Sequence, residues 1–387
     1  MNTMGAKVLF AFLLTVISVS AFPKGCITPT GLTGTCKAMH LCPPYGEAES
    51  KSNFSSNKEK RDFLLTWRCR RYGNEVCCPS DTVYTEPPPS VSGHKNLRLL
   101  PALQDCGEKS EDRLSGGNHT NPMDYPWMAL ISAETDGELD FICGGAIINN
   151  RYILTAAHCV TQLGRSRLAG VRLGEHDITT VEDCKFEDEC ADPVKDVGIE
   201  NIILHPDYIG MQPGRPHDLT NDIALIRLDE PINIKDLNNI LPICLPVTEE
   251  LQNFNLEKAH LLLTGWGRTN VARDGEIVEN RDEPSSVLLE AKLPFVTNRI
   301  CAESFNGSGI GGIGFRQLCA GGDNGVNTCG GDSGGPLIAP VVLRRDVRMV
   351  QYGIVSAGVQ TCGKERLPSI FTSVVQYMDW ILDQLKP

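Results

Sequence analysis

Three short stretches of this chain carry side chains able to perform covalent chemistry on a carbonyl group. Thr155-Ala156-Ala157-His158-Cys159 ends an apolar run with a histidine. Asn221-Asp222-Ile223-Ala224-Leu225 opens another with an aspartate, and Gly330-Gly331-Asp332-Ser333-Gly334-Gly335-Pro336 surrounds one serine with glycine. A serine hydroxyl is a weak nucleophile at neutral pH, so it needs a base to take its proton and later deliver it to the leaving amine. An imidazole is suited to both steps, and a carboxylate on its other nitrogen fixes the tautomer and steadies the imidazolium. His158, Asp222 and Ser333 therefore read as base, orienting carboxylate and nucleophile. The backbone N–H groups of Gly331 and Ser333 read as the donors that would hold a developing oxyanion.

These residues lie far apart in the chain, so folding must assemble them. From Cys106 onward, short apolar runs alternate with Gly, Pro, Asn and Asp. They include Trp127 to Ser132, Phe141 to Ile148, Tyr152 to Ala157, Ile223 to Leu228, Leu261 to Trp266, Val287 to Leu293 and Val350 to Ala357. Turn signals at such intervals predict an all-β barrel or sandwich. Only Ser373 to Leu385 has helical spacing, with Val374, Val375, Met378, Ile381, Leu382 and Leu385 at steps of three or four.

The chain has 387 residues and sixteen cysteines, far more than a reducing compartment favours. At the N-terminus Lys7 precedes an apolar run from Val8 to Val19, and Val19-Ser20-Ala21 offers a cleavage site, so residues 1–21 read as a signal peptide. That run falls short of the ~20 residues needed to span a bilayer. The expectation is a secreted, extracellular protein with no membrane span. With 36 Lys and Arg against 48 Asp and Glu, the formal charge of −12 argues against a nucleic-acid partner. Cys26, Cys36, Cys42, Cys69, Cys77 and Cys78 crowd a segment with little apolar content, which reads as a disulfide-stapled module. Spacing alone leaves all fifteen of its pairings open. Between Pro79 and Gln104 the composition turns to Glu86-Pro87-Pro88-Pro89-Ser90 and mixed polar residues, the pattern of an extended, exposed linker.

On these motifs, residues 114–387 resemble a chymotrypsin-family serine protease, and the Cys26 to Cys78 module resembles an arthropod clip domain. The resemblance implies a double β-barrel with a C-terminal helix, a clip domain over 22–79, and a linker and activation segment over 80–113. The whole is similar to the secreted clip-domain proteases of insect immune and dorsoventral cascades, of the Toll or prophenoloxidase type. The resemblance also implies the pairings Cys26–Cys77, Cys36–Cys69, Cys42–Cys78, Cys106–Cys244, Cys143–Cys159, Cys301–Cys319 and Cys329–Cys362. Cys184 and Cys190 are left for each other. It further implies a zymogen cut after Arg113, whose new terminus at Leu114 pairs with Asp332. Its partners would be an upstream activating protease, a downstream protein substrate and a serpin inhibitor.

Two departures bear on specificity. Asn327 stands six residues before Ser333, where trypsin-like members carry Asp, and Ser369 stands where the family generally has Gly. A substrate Lys or Arg would lack its counter-charge, so a neutral P1 residue is expected. Ser356 to Gly358 matches the strand that pairs with the substrate main chain, with Ala357 where Trp is usual. Glu175, Asp177, Thr180 and Asp183 resemble the family's calcium loop, with Glu175 and Asp183 offering carboxylates and Asp177 and Thr180 carbonyls, a donor set suited to Ca2+. Sequons at Asn53, Asn118 and Asn306 permit glycans. The rival to an active endopeptidase is an inert clip-domain adaptor, since some relatives of this type lack the nucleophile.

Overall fold

The computed structural model describes residues 25–27, 33–38, 58, 65–69 and 75–79 of the N-terminal part. Beyond these it describes 87–109, 120–186, 189–210, 217–234, 237–268, 284–305, 308, 310, 313–322, 328, 330–358 and 367–387. The chain divides into two compact units, Met1–Tyr84 and Thr85–Pro387.

In the first unit, strands β1 (Gly25–Ile27), β2 (Thr33–Ala38) and β3 (Glu75–Pro79) form an antiparallel sheet in the order β1-β2-β3. Cys36 is bridged to Cys69. Cys77 and Cys78, both nearly fully buried, are also disulfide-bonded. Cys26 and Cys42 fall among side chains outside the described set, as do the whole residues Cys329 and Cys362, so those three expected bridges lie outside it.

The second unit contains two seven-stranded antiparallel sheets. The first comprises β4 (Met128–Thr135), β5 (Glu138–Ile147), β6 (Tyr152–Thr155), β7 (Arg167–Leu173), β10 (Lys195–Val197), β11 (Ile199–Leu204) and β12 (Ala224–Leu228), in the order β10-β7-β4-β5-β6-β12-β11. A small ladder of β8 (Cys184–Phe186) and β9 (Glu189–Cys190) lies in a loop of this half and is closed by the Cys184–Cys190 bridge. The second sheet comprises β13 (Leu261–Gly265), β14 (Leu289–Leu293), β15 (Phe295–Val296), β16 (Gln317–Ala320), β17 (Pro336–Leu343), β18 (Asp346–Ala357) and β19 (Ser369–Ser373). Its order is β14-β13-β17-β18-β19-β16-β15.

The apolar runs of the sequence become the innermost strands. Every residue of β6, β13 and β19 is buried, the expected result for a run without polar alternation. At the surface β7 alternates instead, with Val171 and Leu173 inward. The predicted C-terminal helix divides into a 3₁₀ turn, Val374–Tyr377, and an α-helix over Met378–Gln384.

One expectation is corrected. Within the expected linker from Pro79 to Gln104, the described residues 87–104 are not exposed throughout. Val91 is 3% exposed and belongs to the main core, with Leu97, Leu99 and Leu100 packed against it. The physical reason is composition at short range: past the proline run come Val91, Leu97, Leu99, Leu100 and Leu103, enough apolar surface to bury against a neighbour. Cys106 then bridges to Cys244.

The second core is centred on Phe371, which has no exposure and shares its cluster with Leu337, Tyr352 and Val355. Replacing Phe371 by alanine is expected to cost ~3 to 5 kcal/mol in guanidinium unfolding. A loss under ~1 kcal/mol would mean that this core does not depend on the ring.

Candidate active site

The geometry begins with strand register. β12 pairs with β6 so that Ala224 faces Thr155, with Leu225 facing Leu154. Continuing this antiparallel register past the strand ends brings residue 222 opposite residue 157, beside His158. His158 occupies the first turn of helix α1 (Ala157–Thr161), directly after β6. Two contacts complete the juxtaposition. The His158 N–H donates to Asp222 Oδ1 at 2.9 Å, and His158 Nδ1 lies 2.8 Å from Asp222 Oδ2. A carboxylate only accepts, so Nδ1 carries the proton and Nε2 presents its lone pair.

Asp222 is 1% exposed, and an unpaired charge at that depth would be costly. Its carboxylate is met by a third donor, the Ser356 hydroxyl at 2.5 Å, while Thr372 donates to its carbonyl at 2.8 Å. Ser356, placed by the sequence on the substrate-facing strand, spends its hydroxyl on Asp222. Asn221 is held with φ at +60°, a left-handed conformation that asparagine tolerates better than most residues. It is secured by Tyr377, whose hydroxyl accepts from the Asn221 N–H at 3.1 Å and donates to its Oδ1 at 2.9 Å. Burial pushes the Tyr377 hydroxyl up to about 12, so it stays protonated and able to donate. Arg316 donates to the same Oδ1 at 3.0 Å. Neither Ser356 nor Tyr377 carries a local motif. Both act across more than 130 residues of chain, so only the tertiary fold shows them.

Ser333 sits half-buried on the turn between the two halves of the unit. Its carbonyl accepts from the Gly144 N–H of β5 at 2.8 Å, while on the other side Val355 of β18 accepts from the Gly334 N–H and donates its own N–H to the Gly335 carbonyl, each at 2.9 Å. Gly334 has φ at +77°, and a Cβ there would lie 2.2 Å from Thr155 Oγ1 and 3.0 Å from Cys159 Sγ. The serine loop is thus pressed against the end of β6 and the Cys143–Cys159 bridge that flanks His158. His158 Nε2 lies 3.7 Å from Cys159 Sγ, and among the described residues no hydrogen bond joins it to the Ser333 hydroxyl. Such contacts commonly tighten only when substrate binds. Among the described residues no carbonyl accepts from the amides of Gly331 and Ser333.

Asp332 is 8% exposed, and its Oδ1 accepts from the Gly267 N–H at 3.0 Å. A Cβ at Gly267 would stand 2.3 Å from that carboxylate, so the cradle admits only glycine. Arg113 and Leu114 lie outside the described residues, as do Asn327 and the sequon residues Asn53, Asn118 and Asn306.

The residue after Asn327 is described. Thr328 donates its N–H to Ser369 Oγ at 2.9 Å, and the two hydroxyls lie 2.8 Å apart. Ser369 has no exposure, and a Cβ at Gly358 would meet Thr328 Oγ1 at 2.3 Å. Ser369, Thr328 and Gly358 therefore pack together as a neutral, buried cluster. Ala357 lies with Ile310 and Leu367 against a cluster containing Leu219.

In the acidic loop, Glu175 Oε1 and Asp183 Oδ2 both accept from the His176 N–H at 3.0 Å, so the two carboxylates converge. Burial and, to a lesser degree, the Asp183 charge hold the Glu175 carboxyl above its ordinary range, while the His176 N–H and then Arg172 at 3.3 Å offset part of this. Asp177 is 7% exposed, and its carbonyl accepts from the Thr180 N–H and hydroxyl. The Thr180 hydroxyl also donates to Asp183 Oδ1 at 2.6 Å. Two converging carboxylates, only one of them paired with a guanidinium among the described residues, are donors of the type a hard cation takes. Elsewhere among the described residues, Cys143, His158 and Cys159 cluster closely, but their sulfurs are bonded to each other and unavailable as ligands.

The remaining described bridge, Cys301–Cys319, ties helix α3 (Asn298–Ser304), which follows α2 (Glu249–Gln252) in the chain, to β16. No helix among the described residues is long and apolar enough to cross a membrane.

Comparison with known proteins agrees with this geometry. The family described as Trypsin matches residues 114–381, and the regulatory CLIP domain of proteinases matches residues 26–78. Serine protease grass of Drosophila melanogaster is 35% identical, covering 94% of this chain and 92% of its own. Phenoloxidase-activating factor 1 of Holotrichia diomphalia is 38% identical, covering 98% of each. The crystal structure of the Drosophila Grass clip serine protease of the Toll pathway superposes with a TM-score of 0.60 at 35% identity, covering 94% of this chain and 97% of that one. A strand register that sets a histidine on a buried carboxylate, beside a glycine-framed serine and behind an N-terminal CLIP module, places the chain among the clip-domain serine proteases of the trypsin family.

Proposed function

We propose that the chain is the zymogen of a secreted serine endopeptidase that works within an extracellular proteolytic cascade of insect immunity. The observation that carries the reading is the His158–Asp222 pair, with its carboxylate saturated by three donors and its imidazole beside the Ser333 loop. His158 Nε2 takes the Ser333 proton as the hydroxyl attacks the substrate carbonyl, then returns it to the leaving amine. Asp222 keeps the ring in the required tautomer. The Gly331 and Ser333 amides, which have no carbonyl acceptor among the described residues, receive the oxyanion, where one donor is typically worth ~3 to 4 kcal/mol.

Activation follows from the same loop. Cleavage after Arg113 would give Leu114 an α-ammonium able to reach the buried Asp332, one residue before the nucleophile, and the pair would order the loop. An upstream protease is thus the activator, and a serpin its natural inhibitor. The names of the relatives, which include a phenoloxidase-activating factor and a protease of the Toll pathway, support a substrate that is itself a protein of such a cascade.

After a cut at Arg113, a fluorophosphonate probe is expected to label Ser333, and Ser333→Ala is expected to lose labelling and at least about ten-thousandfold in turnover. An unlabelled, correctly cut protein would instead be the inert adaptor.

The P1 pocket reads as neutral. Asn327 supplies an amide where a buried guanidinium or ammonium would need a carboxylate, and the Thr328–Ser369 hydroxyl pair beside it adds no charge. A P1 peptide library is expected to favour neutral residues, with Asn327→Asp shifting the preference toward Arg and Lys. A strong basic preference in the unaltered enzyme overturns this pocket.

For the acidic loop we propose structural Ca2+ held by Glu175 and Asp183, with carbonyls of Asp177 and Thr180. Adding Ca2+ after chelation is expected to raise the melting temperature by a few degrees, and Asp183→Asn to abolish that rise. Equal melting with and without the ion refutes the site.

A further inference from the structure

The segment Pro89 to Pro101 makes contacts that neither catalysis nor activation uses. Helix α4 (Met378–Gln384) has no basic residue in its last turn, and its C-cap Leu385, extended rather than left-handed, supplies one backbone cap, its N–H donating to Leu382 O at 3.3 Å. The carbonyls of such an end keep acceptor capacity for donors from elsewhere. Asn96 provides them, its amide donating to Leu382 O at 2.8 Å and Leu385 O at 3.1 Å. Around this polar anchor the segment buries Val91 in the core and packs Leu97, Leu99 and Leu100 against it. Gln252 donates to the Pro89 carbonyl at 3.1 Å, and Asn149 to the Leu99 carbonyl at 2.9 Å. His94 meets Asp383 at 3.1 Å, a contact two-thirds exposed on the aspartate side and of little energetic weight. Backbone carbonyls, an apolar anchor and side-chain donation to a helix end thus hold the segment, which folds into turns and a short 3₁₀ stretch over Leu97–Leu99, against the rest of its unit.

We infer that residues 89–101 are a resident peptide ligand of the catalytic domain, which keeps the N-terminal light chain docked after activation independently of the Cys106–Cys244 bridge. This rests on the proposed cut after Arg113, which turns an intrachain contact into one between two chains. The bridge lies five residues beyond the segment and raises its effective concentration, but these contacts themselves supply the recognition. Whatever precedes Pro87 in the chain, the CLIP module included, then stays attached to the protease even in reducing conditions. The same segment completes α4, the helix that follows Tyr377, whose hydroxyl secures Asn221 beside Asp222.

The full-length zymogen carrying Cys106→Ser and Cys244→Ser is cut with limiting trypsin, the site confirmed by sequencing from Leu114, and passed over a sizing column. The light and catalytic chains are expected to co-elute, and adding Val91→Asp or Asn96→Ala to separate them. Separation with the segment unaltered overturns the inference. Should the serine variant fail to fold, hydrogen exchange in the bridged zymogen decides. Val91→Asp and Asn96→Ala are expected to speed exchange across residues 378–387 at least about tenfold, and unchanged exchange refutes the docking. If trypsin leaves the Arg113 bond intact, the activation reading fails, yet the exchange arm still reports on the segment.

Discussion

The arrangement turns on one buried negative charge. Asp222 lies almost wholly inside the protein, where an isolated carboxylate would cost several kcal/mol, and it is tolerable only because three donors surround it. Those donors come from separate places: the first turn after β6 gives an amide and an imidazole, and the end of β18 gives a hydroxyl. The charge can be satisfied only when both sheets are in place. Stability and catalytic geometry therefore draw on the same contacts, and the two sheets cannot separate without exposing the carboxylate.

A second carboxylate shows the same logic in a different state. Asp332 is also buried, one residue before the nucleophile, and is cradled by the Gly267 amide. In the proposed activation, an α-ammonium made by cleavage would bring a full positive charge to this carboxylate, one residue before the nucleophile, whereas the donors around Asp222 are set by the fold itself.

How much of this was legible in the sequence depends on how local the information is. His158, Asp222 and Ser333 announce themselves because each needs a particular immediate neighbourhood: a strand end, a strand start, a glycine-framed turn. The strands around them were readable from uninterrupted apolar runs such as Tyr152 to Ala157, which must be buried on both faces. Ser356, Tyr377 and Thr328 were not readable as supports, since a serine, tyrosine or threonine with no special neighbours has no signature, and each acts on a residue remote in the chain. The stretch after the proline run was misread for a related reason. The proline run was taken as a sign of exposure, but the apolar side chains Val91, Leu97, Leu99 and Leu100 that follow it pack into the core.

That helix end joins the two halves of the argument. α4 ends the fold on one side, and just before its start Tyr377 reaches the strained Asn221 next to the catalytic carboxylate. A left-handed asparagine persists only if its surroundings hold it, and here the buried Tyr377 hydroxyl, together with the Arg316 guanidinium, does so. The segment over residues 89–101 donates to carbonyls at the far end of the same helix through Asn96. The stretch that the proposed cut after Arg113 would place on a separate chain is thus packed against the helix whose preceding tyrosine steadies Asn221 beside Asp222.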